Sequence, residues 1–126
     1  MTRRSPGQLP DDRAISHLLA LGHAALGVAE PVRWKNSWPS YAPEVDAFFR
    51  EAAQAPWSRP NYDPVQCGRL IDDPATMAGA DLDQLCQLLT WMERGERFCD
   101  GHRASLIGNG HLRRWLQRLD ELARQG

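Results

Sequence analysis

Apolar residues recur three and four positions apart over most of this chain, which is the spacing of one helical face. The clearest run starts at Asp81. Leu82, Leu85, Cys86, Leu89 and Met92 share a face that Leu88 and Trp91 widen, and Gly95 ends it. A stripe this wide predicts a helix central to the core. Leu112, Trp115, Leu116, Leu119 and Leu122 predict a last helix from about His111 to Arg124. Arg113, Arg114, Gln117, Arg118 and Glu121 fall on its outer side. Ile15, Leu18, Leu19, Gly22 and Leu26 predict a first helix capped by Asp11 or Asp12 and stopped at Gly27. Val45, Phe48, Phe49 and Ala52 predict a second, opened by Pro43 and closed by Pro56.

Aspartate followed by proline marks two further starts. Asp63-Pro64 reads as cap and first helical residue, with Gln66 reaching back; Asp73-Pro74 begins a short turn of helix through Ala78. Residues 102–107 predict one or two helical turns before Gly108-Asn109-Gly110. Valine and isoleucine are scarce and no stretch alternates cleanly, so a substantial sheet is not expected. The expected fold is an all-α bundle of about five to six helices with aromatic, proline-rich loops, leaving room for one short strand near Val32–Trp34. Residues 1–10 read as a flexible tail and 11–126 as a single helical domain.

Charge changes the picture more than composition does. The net charge is −1, but residues 1–39 carry +2, residues 40–100 carry −6 and residues 101–126 carry +3. An acidic middle and a basic tail suit homo-oligomer formation or an anionic partner. Fourteen of the fifteen basic residues are arginine, with Lys35 the exception. That points first to a GC-rich bacterial genome rather than to arginine chemistry. Cys67, Cys86 and Cys99 are odd in number and far apart, so no disulfide framework follows. No apolar run is long enough to span a membrane and no secretory signal is evident, so a cytoplasmic setting is the expectation.

The segment Arg94 to His102 is the most distinctive, above all Arg97-Phe98-Cys99-Asp100-Gly101. Together with Ser40 to Phe49 and Leu116 to Leu119, it resembles a bacterial family, the domain of unknown function 6508, over about Tyr41 to Leu122. The resemblance implies a compact helical domain and directs attention to residues 94–103. It carries over no activity, cofactor or catalytic residue.

Five chemistries are open on the residues themselves. Cys99 beside Asp100, His102 and Arg97 could be an activated thiol. A cysteine nucleophile, however, usually takes its base from elsewhere in the fold. The structural alternative buries Phe98 and Cys99, lets Asp100 cap the next helix, gives Gly101 the turn, and pairs Arg97 with Asp100 and Glu96 with Arg103. A small anion site at Arg97 and Arg103 is weakened by those same carboxylates. Cys99 and His102 have a ligand-like spacing, but no second pair completes a zinc site, so no metal or cofactor is expected. Residues 102–124 have the outline of a helix-turn-helix, with Arg113 and Arg114 where base contacts would be made; a net acidic chain argues against nucleic acid. Finally, Trp34, Trp38, Tyr41, Trp57 and Tyr62 lie among Arg33, Lys35 and Arg59. Such a set closes the core, stacks bases or sugars, or forms a hot-spot surface for a protein. The expectation is a non-enzymatic binding module. It would contact a protein through Trp34, Trp38 and Trp57, or through Arg113, Arg114 and Arg118. An inhibitor or adaptor of phage type, such as an anti-CRISPR protein, is one version. A nucleic-acid binder and a Cys99-centred enzyme are the alternatives.

Overall fold

Aspartate caps set the helix starts in the computed structural model, which describes residues 8–96 and 101–125. Helix α1 (Asp12–Gly27) begins where the Asp11 carboxylate accepts the Ala14 N–H at 2.9 Å. Helix α2 (Pro43–Ala52) opens on its proline without a side-chain cap. Helix α3 (Pro64–Asp72) is capped by Asp63, which accepts from the amides of Val65 and Gln66. Gln66 does not reach back; the Asp63 N–H donates to Gln87 Oε1 from another helix instead. Asp73 caps the five-residue α4 (Pro74–Ala78) in the same way. Helix α5 (Leu82–Gly95) starts with a reciprocal capping box between Asp81 and Gln84. Helices α6 (His102–Gly108) and α7 (His111–Gln125) complete the chain.

The predicted faces meet. Helix α1 packs on α2 and α7, α3 lies on α5, and α6 bridges α5 and α7. Leu85, Leu89, Trp115 and Leu119 are fully buried. The Trp115 indole N–H donates to the Leu85 carbonyl at 3.0 Å, so the one polar atom of that ring is satisfied inside the core. Phe48 and Trp57 stand edge-on to Trp115, with centroids 6.3 and 6.2 Å away. Gly22 lets α1 approach α7: a Cβ there would sit 2.5 Å from a Leu116 methyl.

The helical reading holds, with one addition. Residues 31–43 fold as an antiparallel hairpin, β1 (Val32–Lys35) and β2 (Trp38–Tyr41), in the register Val32↔Tyr41, Arg33↔Ser40, Trp34↔Pro39 and Lys35↔Trp38. Asn36 and Ser37 both take positive φ, 51° and 68°, the geometry of a type I′ turn that suits a two-residue hairpin loop. The short strand expected near Val32–Trp34 therefore has a partner.

Candidate functional site

The hairpin separates the tryptophans. Trp57 and Trp115 are fully buried, and Trp91 is half-buried. Trp34 and Trp38 are 57% and 65% exposed. The register explains their different surroundings, because directly paired residues of an antiparallel ladder share a face. Val32, Trp34, Pro39 and Tyr41 form the inner face and Arg33, Lys35, Trp38 and Ser40 the outer. Every outer-face residue is exposed, and Trp38 stands opposite Lys35, with Arg33 one pair further along the same face.

The inner face is tied to the start of α6. The Tyr41 hydroxyl donates to Glu96 Oε1 at 2.9 Å and accepts the Ala104 N–H at 3.3 Å. Glu96 also accepts the N–H groups of Gly101 and Arg103, each at 2.9 Å, and so caps α6 from outside the helix. Burial alone would raise the Glu96 pKa; the donors from Arg103, Gly101 and Tyr41 outweigh it and hold the carboxyl below its ordinary value. Burial and the adjacent carboxylate push the Tyr41 hydroxyl far above its ordinary range, so it remains a neutral donor. Gly101 has φ +87°, and the Trp34 ring lies so close that a Cβ there would sit 2.7 Å from it. The glycine of the family-like motif is thus required twice, by backbone conformation and by an indole resting on it.

Other sequence candidates separate. Trp57 is no surface residue: it fills the core beside Trp115. Arg59 is buried too, and its guanidinium donates to the carbonyls of Pro56 at 2.7 Å and Gln8 at 3.0 Å and pairs with Asp83 at 3.3 Å. That bond and the burial of Pro10 hold the last residues of the expected tail against the domain. Arg103 lies over the Phe49 ring at 4.6 Å and faces Glu93 at 3.7 Å. Its side chain does not pair with Glu96, as the spacing suggested; only its backbone N–H does. His102 stands edge-on to Trp91 at 5.2 Å; burial lowers its pKa, with Arg103 adding to the effect and Glu96 opposing it. Arg97, Phe98, Cys99 and Asp100, with the proposed Arg97–Asp100 pair and the Cys99 chemistry, lie outside the described residues.

On α7 the arginines are mostly engaged. Arg118 donates to the Ala80 carbonyl at 2.8 Å and pairs with Glu121; Arg124 pairs with Asp120; Arg114 bonds His111 one turn back. Arg113 is exposed and has no side-chain partner among the described residues. The face expected to be outward is therefore partly used for packing and local pairing.

Sequence reasoning passed over Tyr41 and Glu96 as a linked pair. The available signal was a carboxylate a few residues ahead of a glycine-started helix with no Ser, Thr, Asp or Asn at its cap position.

Cys67 and Cys86 are buried and free, and burial raises their thiols to about 11 and about 12, so neither offers a thiolate at neutral pH. No group of His, Cys, Asp and Glu among the described residues is placed to hold a metal ion. No helix among them is long and apolar enough to cross a membrane. No curated protein and no solved structure matches the chain. A family model does, over residues 31–125, from the hairpin through α7. The chain belongs to that family, DUF6508, a family of unknown function.

Proposed function

We propose that the chain is a non-enzymatic binding module that contacts a protein partner through its hairpin. The supporting observation is the exposure of Trp34 and Trp38 at 57% and 65%, in a fold that buries or half-buries its other three tryptophans. Tryptophan anchors protein interfaces because it buries a large, rigid area with only two rotatable bonds. The hairpin is suited to that role because its backbone is paired within itself, and Tyr41 and Trp34 clamp its inner face to the α6 start. Preorganisation of this kind lowers the entropic cost of binding. Regulatory action on a larger assembly, as an inhibitor or adaptor, is the biological form we favour.

Arg113 at the exposed start of α7 is the feature that speaks for nucleic acid instead. The pairing of Arg118 with Glu121 and of Arg124 with Asp120 leaves that reading less cationic surface than the sequence suggests. Capture of partners from cells of the source organism, with nuclease treatment in one arm, tests both. Loss of a bound protein on Trp38→Ala, unchanged by nuclease, is expected. Capture that nuclease abolishes and Arg113→Ala weakens would overturn the proposal.

A further inference from the structure

We infer that the partner supplies an extended, acidic segment that adds as a third strand along the outer edge of β1; this rests on the binding-module reading above. The ladder's phase shows which backbone groups are free. The Ala42 N–H donates to the Pro31 carbonyl at 2.9 Å, so Pro31 and Ala42 form a hydrogen-bonded pair. Bonded and non-bonded pairs alternate in an antiparallel ladder. Arg33/Ser40 and Lys35/Trp38 are then bonded across the hairpin, while Val32/Tyr41 and Trp34/Pro39 turn their backbone groups outward. Among the described residues, the N–H and C=O of Val32 and Trp34 have no partner. The two edges are unequal. On β2 the outward position Pro39 has no N–H, which blocks strand addition there. Among the described residues, the β1 edge keeps both donors and both acceptors.

A shallow open groove follows that edge, lined by Glu30, Val32, Arg33, Trp34, Lys35 and Ser40, with a volume near 530 Å³. Its charge selects the occupant. Arg33 and Lys35 project from the outer face, and alternate side chains of an added strand would lie beside them. Glu30 is the nearby carboxylate, 3.2 Å from Arg33; both are exposed, so that pair exchanges readily for a partner's acid. Glu44 lines the neighbouring depression and does not reach this ladder edge. A second copy of β1 would set Arg33 and Lys35 against their own kind, and like charges across a ladder are unfavourable. A nucleic acid has no amide ladder to offer. An acidic extended peptide satisfies both the amides and the cations.

The test uses the full chain and two blocked peptides of roughly six residues, an ordinary strand length. One alternates glutamate with valine, the other lysine with valine. Amide NMR and hydrogen exchange are read residue by residue. The glutamate peptide should shift the Val32 and Trp34 amides and slow their exchange. The Arg33 and Lys35 amides, already bonded across the hairpin, should gain no protection. The preference over the lysine peptide should be roughly tenfold, and Arg33→Glu with Lys35→Glu should reverse it. Val32→Pro removes one outward donor without touching the ladder and should abolish binding, with retained Arg33 amide protection showing an intact hairpin. Shifts confined to the Trp38 indole, or equal affinity for both peptides, would overturn the third strand while leaving the hairpin as the contact surface. No response from any hairpin residue at about 1 mM peptide, together with partner capture indifferent to Trp38→Ala, would overturn this inference and the reading it rests on.

Discussion

Two stretches of this chain have the same make-up and opposite fates. Residues 31–43 and 56–62 both mix tryptophan, tyrosine, proline and arginine. The first becomes a hairpin that keeps Trp34 and Trp38 in solvent; the second turns Trp57 and Arg59 into the core. The difference lies in where the backbone finds its hydrogen bonds. The hairpin satisfies its own and needs the domain only along one face. The 56–62 loop has no ladder, and its polar groups are met by the domain: the Arg59 N–H donates to Thr90 Oγ1 at 2.8 Å, and the Arg59 side chain bonds loop carbonyls and Gln8. A buried backbone must be satisfied somewhere; local turn bonds such as Tyr62 N–H to the Arg59 carbonyl meet part of that need in the loop, and Thr90 and the Arg59 side chain meet more of it.

This contrast predicts unequal costs. Trp57→Ala should be the most damaging change, at about 3–5 kcal/mol, because it empties a site beside Trp115; Leu89→Ala and Leu119→Ala should each cost about 2–5 kcal/mol. Denaturant titration measures both, and a loss below about 0.5 kcal/mol at Trp57 would break the inward half of the comparison. Arg59→Met keeps much of the stem but leaves the carbonyls of Pro56 and Gln8 without their donor. It should cost about 2 kcal/mol, and the Gln8 region should lose its hydrogen-exchange protection first.

The seam between hairpin and helices should respond less. Gly101→Ala imposes a side chain at φ +87° and displaces the Trp34 ring. We expect a loss of about 1–2 kcal/mol and a change in tryptophan fluorescence; an unchanged spectrum would mean that the indole does not rest there. Glu96→Gln should cost less, under about 1 kcal/mol, and its effect should depend on pH. The folded carboxyl titrates below its unfolded value, near 4.3. Its stabilisation is therefore present above about pH 4.3 and is lost as pH falls through the folded value. Wild type and variant should differ at neutral pH and converge in acid. His102 acts in the same direction higher up: its lowered pKa favours the neutral ring in the fold, so stability falls as pH drops below about 6.5. A gap between wild type and Glu96→Gln that did not narrow as the pH fell into acid would argue against the carboxylate as the α6 cap.

The helices were legible because their signals are local. Asp11, Asp63, Asp73 and Asp81 cap within three residues, and Pro43, Pro64 and Pro74 sit at first helical positions. The core face of α5 and α7 follows from periodicity alone, and the pair Leu85–Trp115 confirms it. The hairpin was half-legible. Its turn uses Asn36-Ser37 rather than a glycine, and both faces of its four-residue strands carry large or charged side chains, so no alternation marked them. Arg118 was read as solvent-facing from its position on α7, yet the Ala80 carbonyl at the end of the α4 turn captures it, a contact 38 residues away in sequence. The fate of Arg59 depended on Thr90, Asp83 and Gln8 and that of Trp57 on Trp115, all distant in the chain, and no local pattern could reveal either. Arg113 is exposed, as its side of α7 suggested, and Trp38 takes the surface alternative that the sequence left open beside the core one.

On the proposed function, the hairpin serves contact rather than stability. Trp38→Ala tests it when folding and capture are measured on the same preparation. A stability change within about 0.5 kcal/mol together with loss of the bound protein is expected. A variant that unfolds like Trp57→Ala, or one that keeps both its stability and its partner, would contradict it.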